Sequence, residues 1–233
     1  MKHFKGGIDA KRSRLFAKLS KEIMVAARLG GGDPDMNPRL RMALLRSRAA
    51  SMPMENVDRA IKKGTGADQG AAMEDLTYEI FAPHGVAMLV EITTDNRNRT
   101  AQEIRSIVTK SHGSIAAAGA VSRLFNRKGQ IIVSRDAARE DELMELALEA
   151  GAEDFVAEPE GYEILTDPAH FEEVHRRMEE KKIRFEVAHL TWLPSLTLAV
   201  EGEPSADVQK MLEQIEENDD VKEVYHNAEF AGD

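Results

Sequence analysis

Apolar residues recur at helical spacing over the first 66 residues and at strand-like spacing over much of the rest. Leu15, Phe16, Leu19, Ile23, Ala26 and Ala27 share one face of a helix predicted over residues 11–29. Gly30, Gly31 and Gly32 stop it, because glycine tolerates the left-handed conformation just past a helix C-terminus. Asn37 is placed to cap a second helix that Pro38 opens, running to about residue 51 and packing through Leu40, Ala43, Leu44 and Leu45. Pro53 opens a third, with Val57, Ala60 and Ile61 inward, and Lys62-Lys63-Gly64-Thr65-Gly66 closes it. Three helices with short connections predict a small bundle.

Residues 67–75 are Gly, Ala and acidic, which suits a linker. Two strand-like runs, 77–81 and 86–94, flank Pro83-His84-Gly85 and predict a hairpin. A helix through Ala101, Ile104, Ile107 and Val108 follows and ends near Gly113, and a further strand is expected over 121–125. From Gly129 the pattern reads strand 130–134, helix 141–150, strand 154–158, strand 162–166, helix 171–181, strand 185–192. This βαββαβ order is ferredoxin-like. After Pro194 come a strand over 196–200, an acidic helix over 205–218 and a last strand over 221–226. The expected fold is α+β: a basic helical domain (1–66), a middle α+β domain (67–128 with 193–233), and a ferredoxin-like domain (129–192) inserted into the middle one.

Charge divides the chain along the same lines. Residues 1–66 carry 15 basic and 6 acidic side chains, a net of +9, whereas residues 67–233 carry 16 and 35, a net of −19. A basic helical block on an otherwise acidic protein points to a polyanion partner. Arg14, Lys18, Lys21 and Arg28 fall on a side of the first helix separate from its apolar face. Arg39, Arg41, Arg46 and Arg48 follow on the second helix, and Lys62 and Lys63 on the third. These ten are the candidate phosphate contacts; if about five bind, the log–log salt dependence on duplex DNA has a slope near −4 to −5. The turn from Asp95 to Thr100 admits two readings: Asp95, Asn96 or Asn98 caps the next helix, or Arg97 and Arg99 meet an anion beside free N–H groups at a helix N-terminus.

Other chemistry is absent from the pattern. The chain has no cysteine, which removes disulfides, thiolate metal sites and cysteine nucleophiles. His170 and His175 are spaced off a common helical face, Gly64-x-Gly66-x-x-x-Gly70 follows a helix and not a strand, and neither Gly-Lys-Ser/Thr nor Gly-x-Ser-x-Gly occurs. No enzyme activity, small-molecule substrate, cofactor or metal is expected. Residues 129–192 hold 17 acidic and 7 basic side chains, so Phe155 and Tyr162 read as core and not as a base-stacking surface. Glu216 and Glu217 read as a solvated face. The longest apolar run, 86–90, is far short of the ~20 residues of a membrane span, and no membrane association is expected.

Five ordered motifs add up to a resemblance. Gly30-Gly31-Gly32-Asp33-Pro34, Asn37-Pro38-Arg39-Leu40-Arg41, Met52-Pro53 with Asn56, Arg59-Ala60-Ile61-Lys62-Lys63-Gly64-Thr65-Gly66, and Thr94-Asp95-Asn96-Arg97-Asn98-Arg99-Thr100 closely resemble the YebC/PmpR family of transcriptional regulators. The resemblance runs from about Lys2 to the C-terminus. It implies a helical domain followed by two α+β domains, a cytoplasmic location, and DNA binding tied to transcription control. The family is similar to the mitochondrial translational activator of cytochrome oxidase, which implies, as the alternative, a ribosome-associated factor contacting rRNA or tRNA. Members open with Gly-His-Ser-Lys-Trp and Asn-Ile-Lys-His-Arg-Lys; Lys2-His3-Phe4-Lys5 matches the end of that stretch, so a basic N-terminal arm is expected to be missing. Ser51 stands where the family has Asn. The acidic domains are expected either to limit unspecific binding by self-repulsion or to face basic ribosomal or polymerase proteins.

Overall fold

Helix α1 (Lys2–Gly30) begins well ahead of residue 11. Extending a formed helix needs no new nucleus, so Gly6 and Gly7 raise the cost without ending it. The computed structural model describes residues 2–66 and 72–230, with side chains from Arg14 onward. The helix stops where Gly31 turns to φ +87° and donates its N–H to the Ala27 carbonyl. Asn37 caps α2 (Pro38–Ala49), its side-chain oxygen accepting from the Leu40 N–H at 3.1 Å. Its amide also donates to the Ala26 and Gly31 carbonyls, each at 2.8 Å, so one side chain starts α2 and fixes it to the end of α1. Helix α3 (Met54–Thr65) follows Pro53. Leu19, Ile23, Ala26, Ala27, Leu40, Ala43, Met52, Val57 and Ala60 form the core between the three.

Residues 67–71 of the predicted linker lie outside the described residues, and Glu74 and Asp75 already belong to β1 (Glu74–Phe81). The hairpin forms as predicted: β1 pairs antiparallel with β2 (Ala87–Thr94) across a 3₁₀ turn at Pro83–Gly85. Outside β1 lies β3 (Ser114–Ile115), and outside β2 lies β9 (Val221–His226), giving the order β3-β1-β2-β9. Helices α4 (Arg97–Lys110) and α7 (Gly202–Glu216) supply Ile104, Val108, Val208, Met211 and Ile215 to the same core as Ile80, Met88, Val90 and Ile92.

The strand expected over 121–125 is absent. Residues Ser122–Leu124 form a 3₁₀ turn, and the strand next to β1 is the shorter Ser114–Ile115. The cause is Glu79, whose carboxylate accepts the N–H groups of Gly119, Val121 and Ser122 at 2.6–2.9 Å. With a carboxylate taking its donors, this segment needs no neighbouring strand. Strand β8 (Leu198–Val200) pairs in parallel with β10 (Ala228–Phe230) as a separate two-stranded ribbon.

The chain divides into two compact units, residues 1–125 with 194–233, and residues 126–193. The second contains β4 (Phe125–Ser134), α5 (Glu140–Glu149), β5 (Ala152–Ala157), β6 (Gly161–Thr166), α6 (Phe171–Glu180) and β7 (Val187–Pro194), in sheet order β5-β6-β4-β7. The first and third strands are central, as the ferredoxin-like pattern requires. Ile131, Val133, Tyr162 and Ile164 are buried, as are Leu143, Ala147, Phe171, Val174 and Met178 from the helices. Phe155, half-buried, stacks on Tyr162 with ring centroids 5.5 Å apart. The fold is α+β, a helical region followed by two sheet regions. Among the described residues no helix is long and apolar enough to cross a membrane.

Candidate nucleic-acid interface

Helix α1 carries Arg14, Lys18 and Lys21 at i, i+4 and i+7, a spacing that aligns them on one stripe. Each meets an acceptor at the end of α7 or the turn after it. Arg14 pairs with Glu217 at 2.8 Å. The Lys18 ammonium donates to the Glu216 carbonyl at 2.6 Å, and its burial holds its pKa below the ordinary lysine value. Lys21 pairs with Asp220 at 2.7 Å. On α2, Arg46 pairs with Glu223 of β9, and Arg39 holds Glu22 at 2.9 Å and Asp75 at 2.6 Å. Arg41 donates to the Pro34 carbonyl at 2.7 Å, and Arg28 is half-buried in the last turn of α1. Eight of the predicted phosphate contacts, counting Arg28 and Arg99, are therefore engaged within the protein. Glu216 and Glu217 are exposed, as the sequence suggests, and Glu217 also pairs with α1 while Glu223 of β9 pairs with α2.

The remaining cations are different. Arg48, Lys62, Lys63 and Arg97 are exposed, and their side chains make no hydrogen bond or ion pair with another described residue. Arg59 shares this condition and was not singled out from the sequence. Its position, three and four residues before Lys62 and Lys63, was the available signal, because that spacing puts all three on one side of α3. Val57, Ala60 and Gly64 are the buried side of the same helix. Gly64 is what lets α3 approach α1: a Cβ there would stand 2.4 Å from the Met24 carbonyl oxygen and 2.9 Å from the Ala27 Cβ.

The Asp95–Thr100 turn forms the helix cap that the first of its two readings expects. Asn96 caps α4, accepting from the Arg99 N–H at 3.1 Å, while Arg97 points no bond at any described residue. Arg99 donates to Asp95 at 3.0 Å and to Asp220 at 2.7 Å. Asp220 also accepts from Lys21 at 2.7 Å, Thr100 at 2.6 Å and Thr94 at 3.1 Å. Burial alone would raise this carboxyl's pKa, but the bonds from Lys21, Thr100 and Arg99 outweigh it and hold it well below the usual carboxylate range. Nearby, Glu22 is likewise pushed up by burial and, on balance, pulled down by Arg39 and Lys222. One acidic node thus links α1, the turn before α4 and the turn before β9.

Two family models match the sequence. Residues 1–67 match the TACO1/YebC protein N-terminal domain, and residues 73–228 match the TACO1/YebC second and third domain. A protein of Trichlorobacter lovleyi named "Probable transcriptional regulatory protein" is 47% identical over 234 residues, covering 100% of this chain and 94% of that one. A Geobacter sulfurreducens protein of the same description is 48% identical over 231 residues, covering 99% and 93%. The crystal structure of a conserved hypothetical protein from Aquifex aeolicus superposes with a TM-score of 0.82 at 45% identity, covering 97% of this chain and 93% of that chain.

Proposed function

The chain belongs to the TACO1/YebC family, and from that premise we infer that it is a non-enzymatic regulatory protein that binds nucleic acid, with duplex DNA in transcription control as the working target. The observation that carries this is a group of exposed cations whose side chains have no partner among the described residues, Arg48, Arg59, Lys62 and Lys63 in the helical region and Arg97 at the start of α4. Unpaired Lys and Arg gain by meeting phosphates because each contact releases condensed counterions. The relatives' shared name, "Probable transcriptional regulatory protein", supports DNA as the polyanion. These side chains form no base-reading constellation, so binding is expected to track the phosphate backbone more than the sequence.

The test is co-sedimentation with purified ribosomes through a sucrose cushion at about 150 mM salt, with and without excess duplex DNA. Protein that stays in the supernatant, or leaves the ribosomes once DNA is added, supports the DNA reading. Protein that pellets with ribosomes and resists DNA overturns it in favour of a translation factor contacting rRNA or tRNA.

A further inference from the structure

The cations on α1 and α2 that the charge pattern assigns to phosphate are met, within their own unit, by groups of phosphate-like chemistry. Opposite the Arg14–Lys18–Lys21 stripe stand the Glu217 carboxylate, the Glu216 carbonyl and the Asp220 carboxylate, and opposite Arg46 stands Glu223. Helix α7 ends here, and the last carbonyls of a helix carry partial negative charge. Carboxylates and exposed carbonyl oxygens offer Arg and Lys the same acceptor geometry as a phosphodiester. We propose that the end of α7 and the start of β9 form an internal substitute for a nucleic-acid backbone, occupying the α1–α2 cations until a polyanion displaces it. The proposal rests on the nucleic-acid reading above and adds its regulation.

Two observations make the contact displaceable. Its pairs are graded in depth. The side chains of Lys21 and Asp220 are 22% and 8% exposed, an anchored pair, whereas those of Arg14 and Glu217 are 44% and 60% exposed. Exposed pairs are weak and screened by salt. The surfaces are also not closed on each other. A cavity of about 420 Å³ lies between them, lined by Arg14, Lys18 and Arg46 on one side and Glu217, Val221 and Glu223 on the other. A contact selected only for stability packs such a space. Water and ions reach these pairs, and a phosphate strand brings the counterion release that a lone carboxylate lacks.

The experiment compares the wild type with a Glu217→Gln, Glu223→Gln variant in fluorescence anisotropy with a mixed-sequence duplex of about 30 base pairs, between about 50 and 200 mM salt. Affinity is expected to rise about tenfold at the low-salt end, and the log–log slope to steepen by about 2 as Arg14 and Arg46 reach phosphates. Adding Arg14→Gln and Arg46→Gln is expected to cancel that gain. If the double glutamine variant unfolds, Glu217→Gln alone carries the test with half the slope change. A folded variant with unchanged affinity and slope overturns the proposal, and the nucleic-acid reading stands if Lys62→Gln, Lys63→Gln weakens binding. If neither wild type nor variant binds duplex or ribosomes, both fall together.

Discussion

Asp220 gathers four side-chain donors on one carboxylate that is 7% exposed. Lys21 comes from α1, and Thr94, Arg99 and Thr100 from around the turn that opens α4, so the side chain joins the two. Because its pKa in the fold lies below that of the unfolded chain, its ionised form stabilises the protein above about pH 4, and this contribution is lost as pH falls further toward the folded value. Asp220→Asn is expected to cost about 2 kcal/mol at neutral pH, the worth of hydrogen bonds to charged groups. Denaturant melts of the two proteins are expected to draw closer between about pH 5 and pH 3; equal midpoints at neutral pH would show that the joint carries no load. Ser51 presents the opposite case. It sits just past α2 at φ +54°, with its N–H on the Arg48 carbonyl and that of Met52 on the Ser47 carbonyl, the geometry in which glycine usually stands. Ser51→Gly is expected to raise stability by about 0.5–1 kcal/mol, read as a higher thermal midpoint.

At the scale of elements, local chemistry was legible where it was self-contained. The caps at Asn37 and Asn96, the glycine stop after α1, the Pro83-His84-Gly85 hairpin turn and the βαββαβ order depend on residues close in sequence, and all are present. The segment 121–125 reads as a strand because Val121, Leu124 and Phe125 are apolar, while the carboxylate that takes its N–H groups stands some 40 residues away on β1. The pairing of α1 with the end of α7 spans 198–203 residues, and no local pattern announces it. Gly64 lies between these cases: a glycine-rich motif was visible, but its reason is the approach of α3 to α1. Gly64→Ala gains helix propensity of about 1 kcal/mol, yet its Cβ would fall 2.4 Å from the Met24 carbonyl oxygen. Overpacking against backbone outweighs propensity, so a net loss of roughly 1–2 kcal/mol is expected in chemical denaturation. An unchanged or higher midpoint would mean that α3 can shift without penalty.

For the whole molecule, the contrast between +9 and −19 has two uses at once. Part of the positive charge is spent on holding the helical block to the acidic sheet region, and the rest stays on the surface. That division separates cations that a sequence count treats alike. Arg39 is structural: it holds Glu22, whose side chain is 9% exposed, together with Asp75. Arg39→Gln is expected to destabilise the fold by about 2 kcal/mol and to leave the salt slope of polyanion binding unchanged. Lys62 and Lys63 are exposed and unpaired in the last turn of α3, where removing charge disturbs no described partner. Lys62→Gln with Lys63→Gln is expected to leave the thermal midpoint within a few degrees, to weaken duplex binding at low salt, and to flatten the log–log slope by up to about 2. Measured side by side, the two variants exchange signatures: one loses stability and keeps affinity, the other loses affinity and keeps stability. If Arg39→Gln proves the one that flattens the slope, the paired cations are the ones reaching phosphate, and the end of α7 must leave them whenever nucleic acid is bound.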